Sequence, residues 1–184
     1  MKFCVSRFNV NLVLALALGL GLLTACHSLK VTKKKEAVST FQVFIEARRD
    51  PDRSQTVKVG RDQPISFSIE KQPFVSEKNV KEAKVVGEIG GFALQVQLDR
   101  QGSWLLEQYT TANHGKHLVI FSQFSTPPEE TLNDGRWLAA PRISLNITNG
   151  LLSFTPDVTR AEADHLALAL NHVAKHAQDD SIIQ

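Results

Sequence analysis

Ile65-Ser66-Phe67-Ser68-Ile69 alternates apolar and polar residues without a break, and Phe92 to Asp99 does so over its second half. Successive side chains of a strand point to opposite faces, so this period demands a half-buried sheet and excludes an all-helical fold. Phe41 to Ala47, Thr56 to Val59 and His117 to Phe121 are rich in the same strand formers. Strand signals return over Arg136 to Ile143 and, weakly, over Ile147 to Phe154. Turn formers stand between them: Asp50-Pro51-Asp52, Gly90-Gly91, Asn133-Asp134-Gly135 and Asn149-Gly150. Tight turns join strands that run antiparallel.

Three helices are predicted among these strands. Ser76 is placed to cap a short one, with Val80, Ala83 and Lys84 at helical spacing. Gly102 and Ser103 open a second that runs through Trp104, Leu105, Gln108 and Tyr109 to about Asn113 and Gly115. Thr155-Pro156-Asp157 starts the last, where Ala163, Leu166, Ala167, Leu170, Val173, Ala174 and Ala177 share one face at about 100° per residue. The expected fold class is α+β: a mostly antiparallel sheet with about three helices packed on one face. Residues 122–134, with Pro127-Pro128 and Glu129-Glu130, read as an exposed loop.

Ahead of this domain, Lys2 and Arg7 precede an unbroken run of Leu, Val, Ala and Gly from Leu12 to Leu23, and Thr24-Ala25-Cys26 follows. At about 1.5 Å per residue that run falls short of a roughly 30 Å hydrocarbon core. It resembles a bacterial lipoprotein signal peptide with its lipobox, which implies cleavage before Cys26 and acylation of that cysteine. The resulting organisation is a signal peptide over 1–25, a lipidated Cys26 with a basic tether over 26–39, the α+β domain over 40–178 and a polar tail over 179–184. In the tether, Lys30 and Lys33-Lys34-Lys35 are placed to rest on anionic headgroups or simply to be solvated. The residue after the cysteine is His27, not the Asp associated with inner-membrane retention, so a two-membrane cell would place the protein at the outer membrane.

The whole chain has 21 Lys and Arg against 19 Asp and Glu, and cleavage removes two bases and no acid. A balanced domain carries no electrostatic footprint for nucleic acid. Of the 2 cysteines, Cys4 leaves with the signal and Cys26 takes lipid, so stability rests on packing and not on a disulfide.

From about Val75 to Lys175 an ordered set of residues stands out: Ala83; Leu98, Asp99 and Gly102; Thr110, Asn113, Gly115 and Lys116; Asp134, Gly135 and Arg136. It continues with Ala140, Pro141 and Ile143; Ile147 and Gly150; Phe154 and Thr155; then Ala163, Leu166, Ala167 and Leu170. This order resembles the head subdomain of the first periplasmic domain of SecD, a protein-export membrane subunit. Residues 122–133 depart from the pattern as an insertion, and residues 40–70 do not align with the family's base subdomain. The resemblance implies a soluble head displayed on a lipid anchor, without the transmembrane helices credited with coupling proton flow to export.

Side chains that bear chemistry do not assemble into a catalytic pattern. His165, His172 and His176 form one stripe of the last helix, with His172 and His176 at a spacing that can hold Zn²⁺, but the stripe lies opposite the apolar face and reads as a solvated surface. His114-Gly115-Lys116-His117 lacks the first glycine and the Ser or Thr of a phosphate loop. Glu129-Glu130 and Asp179-Asp180 are adjacent carboxylates that point apart, and no serine sits in a nucleophile elbow. Trp104 and Tyr109 read as packing residues, whereas Trp137 follows the hairpin turn and is expected to be exposed.

The sequence therefore points to a non-enzymatic envelope lipoprotein with no cofactor and no metal. Its expected partners are the membrane, through acyl chains on Cys26, and an envelope protein, met through Asp134, Gly135, Arg136 and Trp137 or through a sheet edge. The alternative is an envelope hydrolase or metal-binding protein, to be recognised by a pocket that gathers two or more of His114, His117, Glu129 and Asp134.

Overall fold

Phe41, Val43 and Ile45 point to one side of the first strand and Phe44 to the other, and this split organises the molecule into layers. The structure, a computed structural model, describes residues 39–124 and 135–182, with residues 177–182 described by backbone only. Cys26, His27, the tether lysines, Glu129, Glu130 and Asp134 lie outside the described residues.

The strands are β1 (Thr40–Ile45), β2 (Ser54–Val59), β3 (Ile65–Glu70), β4 (Val75–Ser76), β5 (Val80–Glu88), β6 (Gly91–Leu98), β7 (Leu118–Gln123), β8 (Arg136–Ala139) and β9 (Leu151–Phe154). The helices are α1 (Arg100–Ala112) and α2 (Arg160–Ile182), and a 3-10 turn spans Glu77–Asn79. All strand pairs are antiparallel, as expected, but they divide into three sheets ordered β4-β1-β7-β8, β2-β3 and β5-β6-β9.

The inward face of the four-stranded sheet supplies Phe41, Val43, Ile45, Leu118, Ile120 and Leu138 to the main core. Opposite them stand Leu94, Val96 and Leu98 of β6 and the apolar face of α2, including Leu166 and Leu170, all at most 2 % exposed. On the other side of the sheet, Phe44 and Val119 pack under the β2–β3 hairpin against Val59 and Ile69. Burying side chains of this size stabilises by about 1.5–3 kcal/mol each, which explains why both faces of β1 and β7 are apolar.

Two local devices set the helices. Asp99 caps α1, its Oδ1 accepting from Gly102 N–H at 2.6 Å. Thr159 and Glu162 form a capping box at the start of α2: Thr159 N–H donates to Glu162 Oε2 at 2.7 Å, and Glu162 N–H donates back to Thr159 Oγ at 3.3 Å. Helix α2 thus begins at Arg160, three residues beyond the Thr155-Pro156-Asp157 signal.

The helix predicted from Ser76 does not form. Beyond the 3-10 turn the chain becomes β5, because Val80, Val85 and Val86 suit a pleated surface and pairing with β6 across Ile89-Gly90 satisfies its backbone. A bulge between Val80 and Glu82 turns Ala83 inward, so the spacing of Val80 and Ala83 imitates a helix. Asn171 of α2 then seals this strand's outer edge, its Oδ1 accepting from Ala83 N–H at 2.7 Å and its Nδ2 donating to Ala83 C=O at 2.8 Å. Strand β8 stops at Ala139, since Pro141 has no N–H to donate and the chain continues as a single bridge, His117 with Arg142.

Candidate functional site

The four residues singled out from sequence as a contact surface do not present an exposed aromatic. Trp137 is half-buried: its ring packs against Phe44 at 5.5 Å and Phe121 at 4.9 Å in the layer beneath the hairpin. The expectation of exposure fails because the side chain leaves β8 on the hairpin side of the sheet, where an apolar layer receives it. Arg136 Nη1 donates to Glu162 Oε1 at 3.1 Å, and its guanidinium lies 5.8 Å from the Phe124 ring centroid. A Cβ at Gly135 would run into the Phe121 ring, so glycine is required there by close approach. Burial raises the pKa of the Glu162 carboxyl, but hydrogen bonds from Thr159 and Arg136 outweigh it and hold the group below its ordinary value.

What β8 does border is an open groove of 530 Å³. Val59, Ile65 and Phe67 of the β2–β3 hairpin form one wall, and Leu138, Ala140 and Pro141 form the other. Ile65 is 61 % exposed on this wall. At one end the hairpin turn is tied to the segment after β9: Arg61 N–H donates to Asp157 Oδ2 at 2.7 Å and Arg61 Nε–H to Oδ1 at 3.1 Å. Phe154 and Thr155 of that segment also line the groove.

His117 supplies the imidazole in the groove wall. Glu46 Oε2 accepts from the His117 backbone N–H at 2.9 Å and faces its Nδ1 at 2.7 Å, so Nδ1 carries the ring proton. The ring also packs against Phe67 in a tilted arrangement, with centroids 4.9 Å apart and planes at 56°. Neither residue signals this pairing by spacing, since 71 positions separate them and only the β1–β7 register brings them together. Of the residues that would mark an enzyme, the groove takes His117, while His114 is exposed away from it and Glu129 and Asp134 lie outside the described residues. Among the described residues no cluster of three or more His, Cys, Asp or Glu side chains could hold a metal ion. His165, His172 and His176 are exposed on α2, with the rings of His172 and His176 at 4.6 Å. Chemically the groove suits apolar side chains and the backbone that carries them, with one hydrogen-bonding imidazole at its edge.

These features define an α+β head with an apolar groove between a hairpin and the sheet it covers. Residues 53–174 match the family described as SecDF, P1 head subdomain, and the chain belongs to that family. No curated protein sequence matches the chain significantly. Among solved structures it is similar in fold to SecDF, described as a membrane component that enhances protein export, with a TM-score of 0.50 and 19 % identity over 74 % of this chain and 64 % of that one. SecDF in a super-membrane-facing form gives a TM-score of 0.45 at 15 % identity over 88 % of this chain and 33 % of the other. SecDF from Thermus thermophilus, described as translocon-associated, gives 0.39 at 15 % identity over 89 % and 34 %. The chain thus spans less than two thirds of each of these proteins. Among the described residues no helix is long and apolar enough to cross a membrane.

Proposed function

We propose that this chain is a lipid-anchored envelope module that holds extended polypeptide without chemical change, in a role related to protein export. The observation that carries the reading is the apolar groove between the β2–β3 hairpin and β8, on a domain of the SecDF head family. Ile65, 61 % exposed, carries the groove's apolar wall out to solvent, where a bound chain can reach it. In this reading Arg136 and Trp137 act by fixing β8 as the groove's wall and Gly135 by leaving room for the Phe121 ring, with Asp134 a further contact for the partner. Acylated Cys26 holds the head at the periplasmic or outer face of a membrane, the outer membrane where there are two, and the envelope protein it meets is the polypeptide in the groove.

Photo-crosslinking in intact cells tests this. A photoreactive residue at Ile65 should capture exported polypeptides, and one at Leu168, exposed on α2, should not. Equal capture from both sites, or none from Ile65, refutes the reading. For the anchor, Cys26→Ser should abolish incorporation of labelled palmitate and release the protein from membranes; unchanged labelling would exclude acylation at Cys26.

A further inference from the structure

Resting on the polypeptide-binding reading, we infer that β9 is the strand that accepts the bound chain, through the outward backbone groups of Leu151 and Ser153, and that its ligand is an extended segment with uncharged, apolar residues at alternate positions.

The register fixes which groups are available. Leu98 N–H donates to Gly150 C=O, so the bonded pairs between β6 and β9 continue at Val96 with Leu152 and Leu94 with Phe154. Hydrogen-bonded and non-bonded pairs alternate along an antiparallel ladder, so the peptide groups of Leu151 and Ser153 face away from β6. Leu151 N–H is satisfied by Asn149 Oδ1 at 3.1 Å. That leaves Leu151 C=O and both peptide groups of Ser153, an exposed residue, without a partner among the described residues.

The other sheet edges are handled differently. Asn171 and α2 seal β5. On β8, Leu138 C=O accepts from Asp157 N–H at 2.7 Å, and on β3, Ser68 C=O accepts from Ala47 N–H at 2.8 Å. Strand β4 has only 2 residues. The outer edge of β2 carries exposed Lys58, the kind of charge that deters pairing. By contrast, the sequence from Thr148 to Thr155 has neither a charge nor a proline. An uncharged strand edge left unguarded is a template for another chain.

The groove supplies the preference. A strand added to β9 sends alternate side chains to the face on which Leu152 and Phe154 lie, and Phe154 also lines the groove with Leu138, Ala140 and Pro141. Apolar residues are favoured at those positions. The remaining side chains stand beside exposed Ser153 in solvent and are unselected. Backbone bonding with one selective face suits a binder of many unfolded sequences.

The test uses the full-length lipoprotein in detergent micelles and a fluorescent heptapeptide alternating Val and Thr, followed by anisotropy. Ser153→Pro removes an N–H at an edge, where proline is tolerated, so the variant folds and should bind about tenfold more weakly. Thr56→Pro, on the outer edge of β2, should bind as the parent does. Wild-type binding that survives Ser153→Pro unchanged overturns the β9 assignment while leaving the polypeptide-binding reading in place. A parent protein that binds no peptide overturns both. Self-association abolished by Ser153→Pro, seen by sedimentation, would make a second copy the occupant and overturn the choice of ligand.

Discussion

Asn171 offers the sharpest test of how α2 and the three-stranded sheet hold together. Its amide reproduces the pattern of a neighbouring strand, accepting from one peptide N–H and donating to the C=O of the same residue, Ala83. Ala83 is 3 % exposed, so truncation leaves two peptide groups with poor access to water. Each bond is worth about 1 kcal/mol net, and a stranded buried group costs about 1–3 kcal/mol. Alanine returns roughly 0.5 kcal/mol through its helix propensity. We expect Asn171→Ala to lose about 2–3 kcal/mol, which at an m-value of about 2 kcal/mol/M lowers the urea midpoint by about 1–1.5 M. Asn171→Asp provides the internal check. It keeps the acceptor but sets a carboxylate oxygen against Ala83 C=O, so it should be worse than alanine at neutral pH and recover in acid, where the protonated carboxyl can donate. Equilibrium urea unfolding followed by circular dichroism measures both. A loss below about 0.5 kcal/mol for Asn171→Ala would mean that water replaces the amide and that apolar packing alone holds α2 against β5.

Three further outcomes follow from other contacts. The depressed pKa of Glu162 contributes stability at pH values above the ordinary carboxylate range and loses it as pH falls through the folded value, so wild type and Glu162→Gln should differ near pH 7 and converge in acid unfolding curves. Trp137→Ala should cost about 2–4 kcal/mol by emptying the site between Phe44 and Phe121, and should remove the blue-shifted, iodide-resistant part of the fluorescence, leaving that of Trp104, which is 56 % exposed. Gly150 has a φ of 67°, and a Cβ there would meet the Ser103 side chain, so Gly150→Ala should lose about 2 kcal/mol or more by thermal unfolding, with partial recovery when Ser103→Ala is added.

Strand positions were legible where alternation and turn residues agreed, as at Ile65 to Ile69 and, after Gly90-Gly91, over Phe92 to Leu98. The segment after Ser76 misleads because a bulge shifts the inward residue by one, and a shifted period of two over a few residues matches a helical spacing. How the strands divide into three sheets was not legible, since that depends on where α2 and the hairpin lie and not on any local signal. Trp137 illustrates the same limit for the site. Adjacency to an Asp-Gly turn suggests exposure, yet the side receiving its ring is decided by β2 and β3, more than 65 positions earlier. The groove itself is written in residues that read as ordinary strand formers, and only Ile65, apolar on an exposed hairpin, hints at it after the fact.

Strand β1 follows directly on the N-terminal segment and lies inside its sheet, held by six consecutive pairs to β7 and by β4 on its other side. Traction applied through residues ahead of Ser39, against a load borne elsewhere on the domain, enters the fold along the axis of β1. Ladder hydrogen bonds stand perpendicular to the strands. Such a pull shears the whole β1–β7 ladder at once instead of unzipping it pair by pair, and the domain should resist stretching from its N-terminus far better than from its C-terminal helix.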